Sequence, residues 1–162
     1  MAVVELTLTP LPAHVRTARL VVVAAARRAG LETELIDELR LAIGEAASRA
    51  VGLHRRHAPE TPVQILVIDE PTGLTVTVVD QGPEAGPLPD DLAGDLLGDD
   101  VGGDGEPGDV VDPDVALAVL TGLVDDCAIE ATPGGTTVTL RWPLPARPLG
   151  AVGPGSTQAA QV

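Results

Sequence analysis

Segment 44–51, which reads GEAASRAV, places a carboxylate and a guanidinium one helical turn apart among small apolar residues. Glu45 and Arg49 have the i, i+4 spacing with the acid first, which is the favourable order for an ion pair on a helix. An exposed pair of this kind contributes only about 0.3–0.5 kcal/mol. By spacing alone the segment predicts a surface ion pair, and a catalytic use of Glu45 needs support from the rest of the sequence.

The helix that carries this pair is predicted over about residues 32–53. Its apolar face is formed by Leu35, Leu39, Ala42, Ala46, Ala50 and Leu53, with Ile43 close by. One border of that face is formed by Glu38, Glu45, Arg49 and Gly52. On a helix that covers a sheet, such border positions point toward the rim of the cleft beneath it. The basic run 54–57 (HRRH) suits the negative end of the helix dipole.

The remaining elements are predicted from changes in hydrophobic period and from Gly and Pro punctuation. They are a strand over 2–9, a helix over 12–29 that stops at Gly30, a hairpin of 62–68 with 74–79, a helix over 114–124, and a hairpin of 128–131 with 136–142. This order predicts an α+β two-layer sandwich with a mixed, mostly antiparallel sheet and helices on one face.

The charge balance excludes several classes of partner. With 24 acidic and 10 basic residues, the chain carries a formal net charge of −14. Phosphate backbones and anionic lipids repel such a protein, so we expect no nucleic-acid partner and no membrane surface. A basic region of another protein remains compatible with this charge.

Cysteine usage and the absence of a leader pattern predict a cytoplasmic protein. Cys127 is the only cysteine, so no internal disulfide forms, and no motif around it favours a nucleophile over a small core residue. The first residues lack the basic and apolar regions of a secretion signal. The longest apolar run, Leu20 to Ala26, is too short to span a bilayer.

Most of the negative charge is concentrated between the two hairpins. Residues 83–112 contain ten acidic side chains and no basic one, with Gly and Pro scattered among them. The composition favours a disordered insert, with a lid or an acidic arm for a basic partner as the functional alternative. We therefore predict one domain over 1–144 that includes this lid-like loop, followed by a disordered tail over 145–162.

Four segments, in the right order, resemble the GHKL ATPase superfamily and within it the bacterial anti-sigma-factor serine kinases. Residues 39–51 resemble the N box of that superfamily, 76–83 its first glycine box, 115–126 the helix after its second glycine box, and 134–140 its closing strand. The resemblance extends from about Val4 to Leu144, apart from the acidic loop. It implies a Bergerat-type fold and an ATP-dependent serine/threonine-protein kinase activity.

The resemblance also implies a role for each matching residue. Glu45 matches the acid that positions or deprotonates the attacking hydroxyl group, and Asp80 matches the acceptor for the adenine amino group. Gly82 matches the glycine that lets the backbone approach the base, and Thr136 the hydroxyl that supports adenine through a water. Arg19, on the first helix, matches an arginine that the anti-sigma kinases present to their partners.

The departures from the family pattern affect the phosphate and metal sites. Arg49 stands where the family has the asparagine that holds magnesium, and a guanidinium offers only donors and positive charge. Glu84 replaces the second glycine of the first box, and Asp112 and Asp114 stand near the second box, where they would repel a triphosphate. Leu53 stands where relatives often keep a histidine. The pattern predicts that adenine recognition is kept, whereas ATP phosphate and magnesium binding are weakened or lost.

Two hypotheses account for Arg49. As a cofactor-binding residue it could replace magnesium by pairing directly with an ATP phosphate, since a guanidinium fork suits that geometry. Alternatively it neutralises Glu45, and the site has lost catalysis. The second is favoured because phosphoryl transfer depends on positioning and charge neutralisation, and the departures disturb both.

The sequence favours an anti-sigma-type regulator that binds a sigma factor, an anti-anti-sigma protein or both, with weakened or lost ATP binding and kinase activity. An active serine kinase that phosphorylates an anti-anti-sigma factor is the alternative. A nucleotide-sensing domain without a sigma partner is the third hypothesis. A homodimer remains open, because nothing in the composition decides the oligomeric state.

Overall fold

The computed structural model describes residues 1–82 and 113–145. In this part of the chain, three helices cover one face of a five-stranded sheet. The helices are α1 (Pro12–Ala29), α2 (Thr33–His57) and α3 (Pro113–Leu123), and the strands are β1 (Ala2–Leu8), β2 (Val63–Glu70), β3 (Gly73–Asp80), β4 (Asp126–Thr132) and β5 (Gly135–Pro143). The predicted acidic loop, and the predicted tail beyond Pro145, lie outside the described residues.

The sheet has the strand order β1-β2-β3-β5-β4, and each neighbouring pair is antiparallel. The predicted α+β two-layer fold is therefore confirmed, although the described strands contain none of the parallel pairing that a mixed sheet implies. Each predicted helix and strand is present with boundaries shifted by a few residues. The largest shift is at the end of α2, which continues to His57 because His54 lies inside the molecule.

The core lies between the helices and the inner sheet face, and it is almost entirely aliphatic. Alternate residues of β2, β3 and β5 are buried there, and α2 contributes most of the buried helical residues. Trp142 on β5 is the one aromatic residue, and its Nε1 donates a hydrogen bond of 2.8 Å to Oε1 of Glu38. Glu38, a border residue of α2, thus ties the helix to the sheet.

The outer surfaces of α1 and α2 are charged. Exposed side chains there include Arg16, Arg19, Arg27, Asp37 and Arg40. No described helix combines the length and the apolar character that crossing a bilayer requires.

Cys127 lies half-buried on β4, packed against the edge of the core. Burial raises the pKa of its thiol, and the neighbouring Asp126 carboxylate raises this pKa further. A raised pKa lowers the thiolate fraction at neutral pH. The environment therefore agrees with a packing role for Cys127 rather than a nucleophilic one.

The start of β5 depends on a glycine. Gly135 has a φ of +146°, and a Cβ added to it would lie 2.0 Å from the carbonyl oxygen of Asp80. No side chain fits in that space, so the end of β3 and the start of β5 approach as closely as two backbones can. This contact places Asp80 opposite Thr136 in the antiparallel register.

We expect Gly135→Ala to lower the free energy of unfolding by about 2–4 kcal/mol, because it adds backbone strain and a clash with Asp80. Gly134→Ala is the matched control, since its Cβ would meet only Thr132 Oγ1, at 3.9 Å, and its φ is not positive. Urea unfolding monitored by the fluorescence of the single tryptophan measures both variants. Equal stability of the two variants would show that the close approach at Gly135 is not a constraint.

Candidate functional site

Three elements bring Arg49, Asp80 and Thr136 into one buried cluster. Arg49 extends from α2, Asp80 ends β3, and Thr136 lies beside the start of β5, directly opposite Asp80 in the register. The three residues are only 5%, 2% and 1% exposed, respectively. They are far apart in sequence, so only the packing of α2 on the sheet places them together.

The contacts of the cluster engage both oxygens of the Asp80 carboxylate. Nη1 of Arg49 donates to Oδ2 of Asp80, and the backbone N–H of Gly82 donates to Oδ1 over 3.0 Å. The second terminal nitrogen of Arg49, Nη2, donates to Oγ1 of Thr136 over 3.3 Å. A guanidinium from the helix therefore bridges a carboxylate and a hydroxyl group on two neighbouring strands.

The turn after β3 closes tightly over this ion pair. A Cβ added to Gly82 would lie 2.9 Å from Cβ of Leu53 and 3.2 Å from Oδ1 of Asp80. The close approach that the resemblance assigned to a purine base is here made by Leu53 of α2. Gly82 is thus required for packing of the turn against the helix.

A histidine whose burial was not predicted from the sequence supports the same turn. His54 is fully buried, its Nε2 accepts a 2.8 Å hydrogen bond from the backbone N–H of Gln81, and its Nδ1 lies 2.7 Å from the carbonyl oxygen of Thr61. Since a carbonyl only accepts, Nδ1 carries the proton and the imidazole is the neutral tautomer. His54 lies in the last turn of α2, as the sequence predicted, but its burial was not predicted. Its spacing of four residues from the buried Ala50 was the available signal.

Glu45 does not form the predicted pair with Arg49. It lies half-buried one turn before Arg49, and the ion pair of Arg49 within the described residues is with Asp80. The hypothesis that Arg49 neutralises Glu45 is therefore wrong about the partner. The physical reason is burial: a desolvated guanidinium needs a carboxylate that is also buried and hydrogen-bonded, and Asp80 meets both conditions.

Arg19 lies apart from the buried cluster, on the outer side of the helices. Its aliphatic stem lies across α2 at Gly44, where an added Cβ would be 3.3 Å from Cδ of Arg19. It lines a surface groove of about 350 Å³ whose other lining residues are Arg16, Leu20, Val23, Arg27 and Arg40. The candidate site residues thus form two groups: a closed cluster at the sheet and an open groove on α1 and α2.

The cluster stabilises the packing of α2 on the sheet, because its buried charges are paired and hydrogen-bonded to each other. Removing one partner of such a pair costs about 3–5 kcal/mol, because the other charge is left buried without compensation. Within residues 1–82 and 113–145, no group of three or more His, Cys, Asp or Glu side chains is placed to hold a metal ion.

Comparison with known proteins identifies the family. The histidine kinase-like ATPase domain family matches residues 8–142 of the chain, and no curated protein matches it. The fold is similar to a crystal structure of the RsbU and RsbW domains of Rv1364c from Mycobacterium tuberculosis, with a TM-score of 0.60 and 20% sequence identity. That likeness covers 91% of this chain and 34% of the other, so this chain spans about a third of that protein's length. Since the family match extends over most of the sequence, the chain belongs to the histidine kinase-like ATPase family, as its four sequence segments predicted.

Proposed function

We propose that this chain is a protein-binding regulator of the anti-sigma type, whose nucleotide site is closed by its own Arg49. The observation that carries this proposal is the engagement of both Asp80 oxygens by Arg49 and Gly82. With this site closed, the outer surface of the helices is the part of the molecule that binds a partner.

The residues present do not fit ATP in this arrangement. The resemblance gives Asp80 the role of accepting a hydrogen bond from the adenine amino group. Its oxygens could each accept a second bond, but the Arg49 guanidinium and the turn at Gly82 cover the carboxylate, and Asp80 is only 2% exposed. Oγ1 of Thr136 is engaged by the same guanidinium. A bound base would have to displace a buried cation, which is costly. This arrangement opposes the sequence prediction that adenine recognition is kept.

Magnesium does not fit the site either. Its ligands are oxygen atoms, whereas the side chain at the family's ligand position is a guanidinium that only donates. That guanidinium is also held by Asp80. Asp112, the other predicted obstacle to phosphate, lies outside the described residues, and Asp114 lies in the first turn of α3.

The groove on α1 and α2 has the chemistry of a docking surface for an acidic, partly apolar partner. Four of the ten arginines of the chain line it, in a protein with a net charge of −14, and one of the four, Arg40, is ion-paired with Asp37 at 2.6 Å. Leu20 lies among them with 62% of its surface exposed. An exposed leucine within a positive patch favours a partner that presents carboxylates around an apolar contact. The resemblance to anti-sigma kinases supplies the partner class, a sigma factor or an anti-anti-sigma protein.

We expect Arg19→Glu to weaken the affinity for that partner at least about tenfold, because it places like charge against an acidic surface. Arg28→Glu makes the same charge change on the same helix outside the groove, and we expect it to stay within about twofold of the parent. Affinity capture followed by titration of the recovered sigma or anti-anti-sigma protein measures both. Recovery of neither protein class, or an equal loss in both variants, would contradict the proposed function.

We expect no saturable magnesium-ATP binding below about 1 mM, and Arg49→Asn alone does not restore it. The acidic residue in the first turn of α3 remains in that variant, at the helix end where a phosphate would bind. Isothermal titration calorimetry with both proteins checks this. Tight magnesium-ATP binding by the parent protein would instead favour an active kinase. So would stoichiometric phosphorylation of an anti-anti-sigma protein, if Glu45→Gln abolishes it.

A further inference from the structure

In the buried cluster, acceptors on two strands of the sheet surround and bind one guanidinium group. We propose that the guanidinium of Arg49 is a built-in ligand, which permanently fills a recognition site for guanidinium-type cations formed by Asp80 and Thr136. The inference deepens the closure of the site proposed above and rests on that closure, but it does not depend on which protein binds the groove.

The acceptors of this site belong to the sheet, and the donor belongs to a helix. Two terminal nitrogens of one guanidinium reach a carboxylate on β3 and a hydroxyl group on β5, which stand opposite each other in the register. A planar fork of N–H donors matches such a pair of neighbouring acceptors.

The acceptor pair is held in place without Arg49. The backbone N–H of Gly82 holds Oδ1 of Asp80, and strand pairing with the close approach at Gly135 fixes the backbone of Asp80 and Thr136. Truncating Arg49 therefore leaves the Asp80 carboxylate oriented, and the Thr136 backbone in place, beside the space that the side chain had filled. Pre-organised acceptors of this kind bind a free ligand with little reorganisation.

The space that Arg49 fills is enclosed, so the missing part of the side chain defines the ligand. The side chains of Arg49 and Asp80 are 1% and 2% exposed, and Leu53 closes the turn at Gly82. Replacing Arg49 by alanine removes Cγ, Cδ and the guanidinium group, which together correspond to ethylguanidinium. The carboxylate left behind lacks this cation, and a diffusible cation of the same shape regains the interaction.

A tethered ligand has a consequence for any competitor. Because the guanidinium is part of the chain, it is present at a high effective concentration and does not diffuse away. A free nucleotide gains access to Asp80 only by displacing it, so the tethered guanidinium lowers the apparent affinity of the site for any such competitor.

The test is chemical rescue of the full-length Arg49→Ala variant. We expect its melting temperature to fall by on the order of 10 °C, and millimolar ethylguanidinium to raise it again in a saturable manner. The same concentrations should not raise the melting temperature of the parent protein, whose site is filled. Ethylurea, which has a similar shape but no charge, serves as the ligand control.

Arg49→Ala/Asp80→Asn is the matched variant, since an amide of nearly the same size replaces the carboxylate and removes its charge while keeping an oxygen that can accept from Gly82. We expect no saturable response to ethylguanidinium in it. If Arg49→Ala is unfolded at the outset, recovery of its helical circular dichroism on adding ethylguanidinium is the same readout. The inference would be overturned if the single and double variants responded equally, or if neither responded to ethylguanidinium. It would also be overturned if adenosine raised the melting temperature of the parent protein in a saturable manner. None of these outcomes depends on partner capture, so failure here and failure of the proposed function are distinguishable.

Discussion

The ion pair between Arg49 and Asp80 joins α2 to β3, the middle strand of the sheet, and the rest of the site is arranged around it. Removing two charges from water is costly, and only additional hydrogen bonds and good geometry offset that cost. The protein provides both, through Thr136 on the guanidinium and the backbone of Gly82 on the carboxylate. The described residues contain no buried side-chain polar atom without a partner, as a satisfied cluster requires.

Glycines make this arrangement possible because they allow close approaches that a side chain would block. Gly135 lets β5 begin against the backbone of Asp80, and Gly82 lets the following turn close onto Leu53. Gly44 does the same on the outer side, where the stem of Arg19 crosses α2. One helix therefore contacts the buried ion pair through one face and supports the arginine groove through another.

The inner and outer faces of α2 take part in two different features of this ATPase-family fold. The inner face holds a buried ion pair, and the outer face contributes to an arginine-lined groove in an acidic protein. A closed interior and an open groove are the two features on which the proposed protein-binding function depends. The buried histidine adds to the rigidity of the interior, since it joins the end of α2 to the strand ends through two backbone groups.

The sequence by itself determined the elements, their order and the family, because hydrophobic period, turn residues and box order are local properties of the chain. The resemblance also singled out Arg49, Asp80, Gly82 and Thr136, which the fold brings together, whereas the roles that it implies for them stay predictions. The partner of Arg49 was decided only by the tertiary structure. Local spacing favoured Glu45, one turn away, but burial selected Asp80, since a desolvated guanidinium requires an equally buried carboxylate with its own hydrogen bonds. The burial of His54 was likewise decided by the tertiary structure, since its predicted position near the end of α2 did not indicate it.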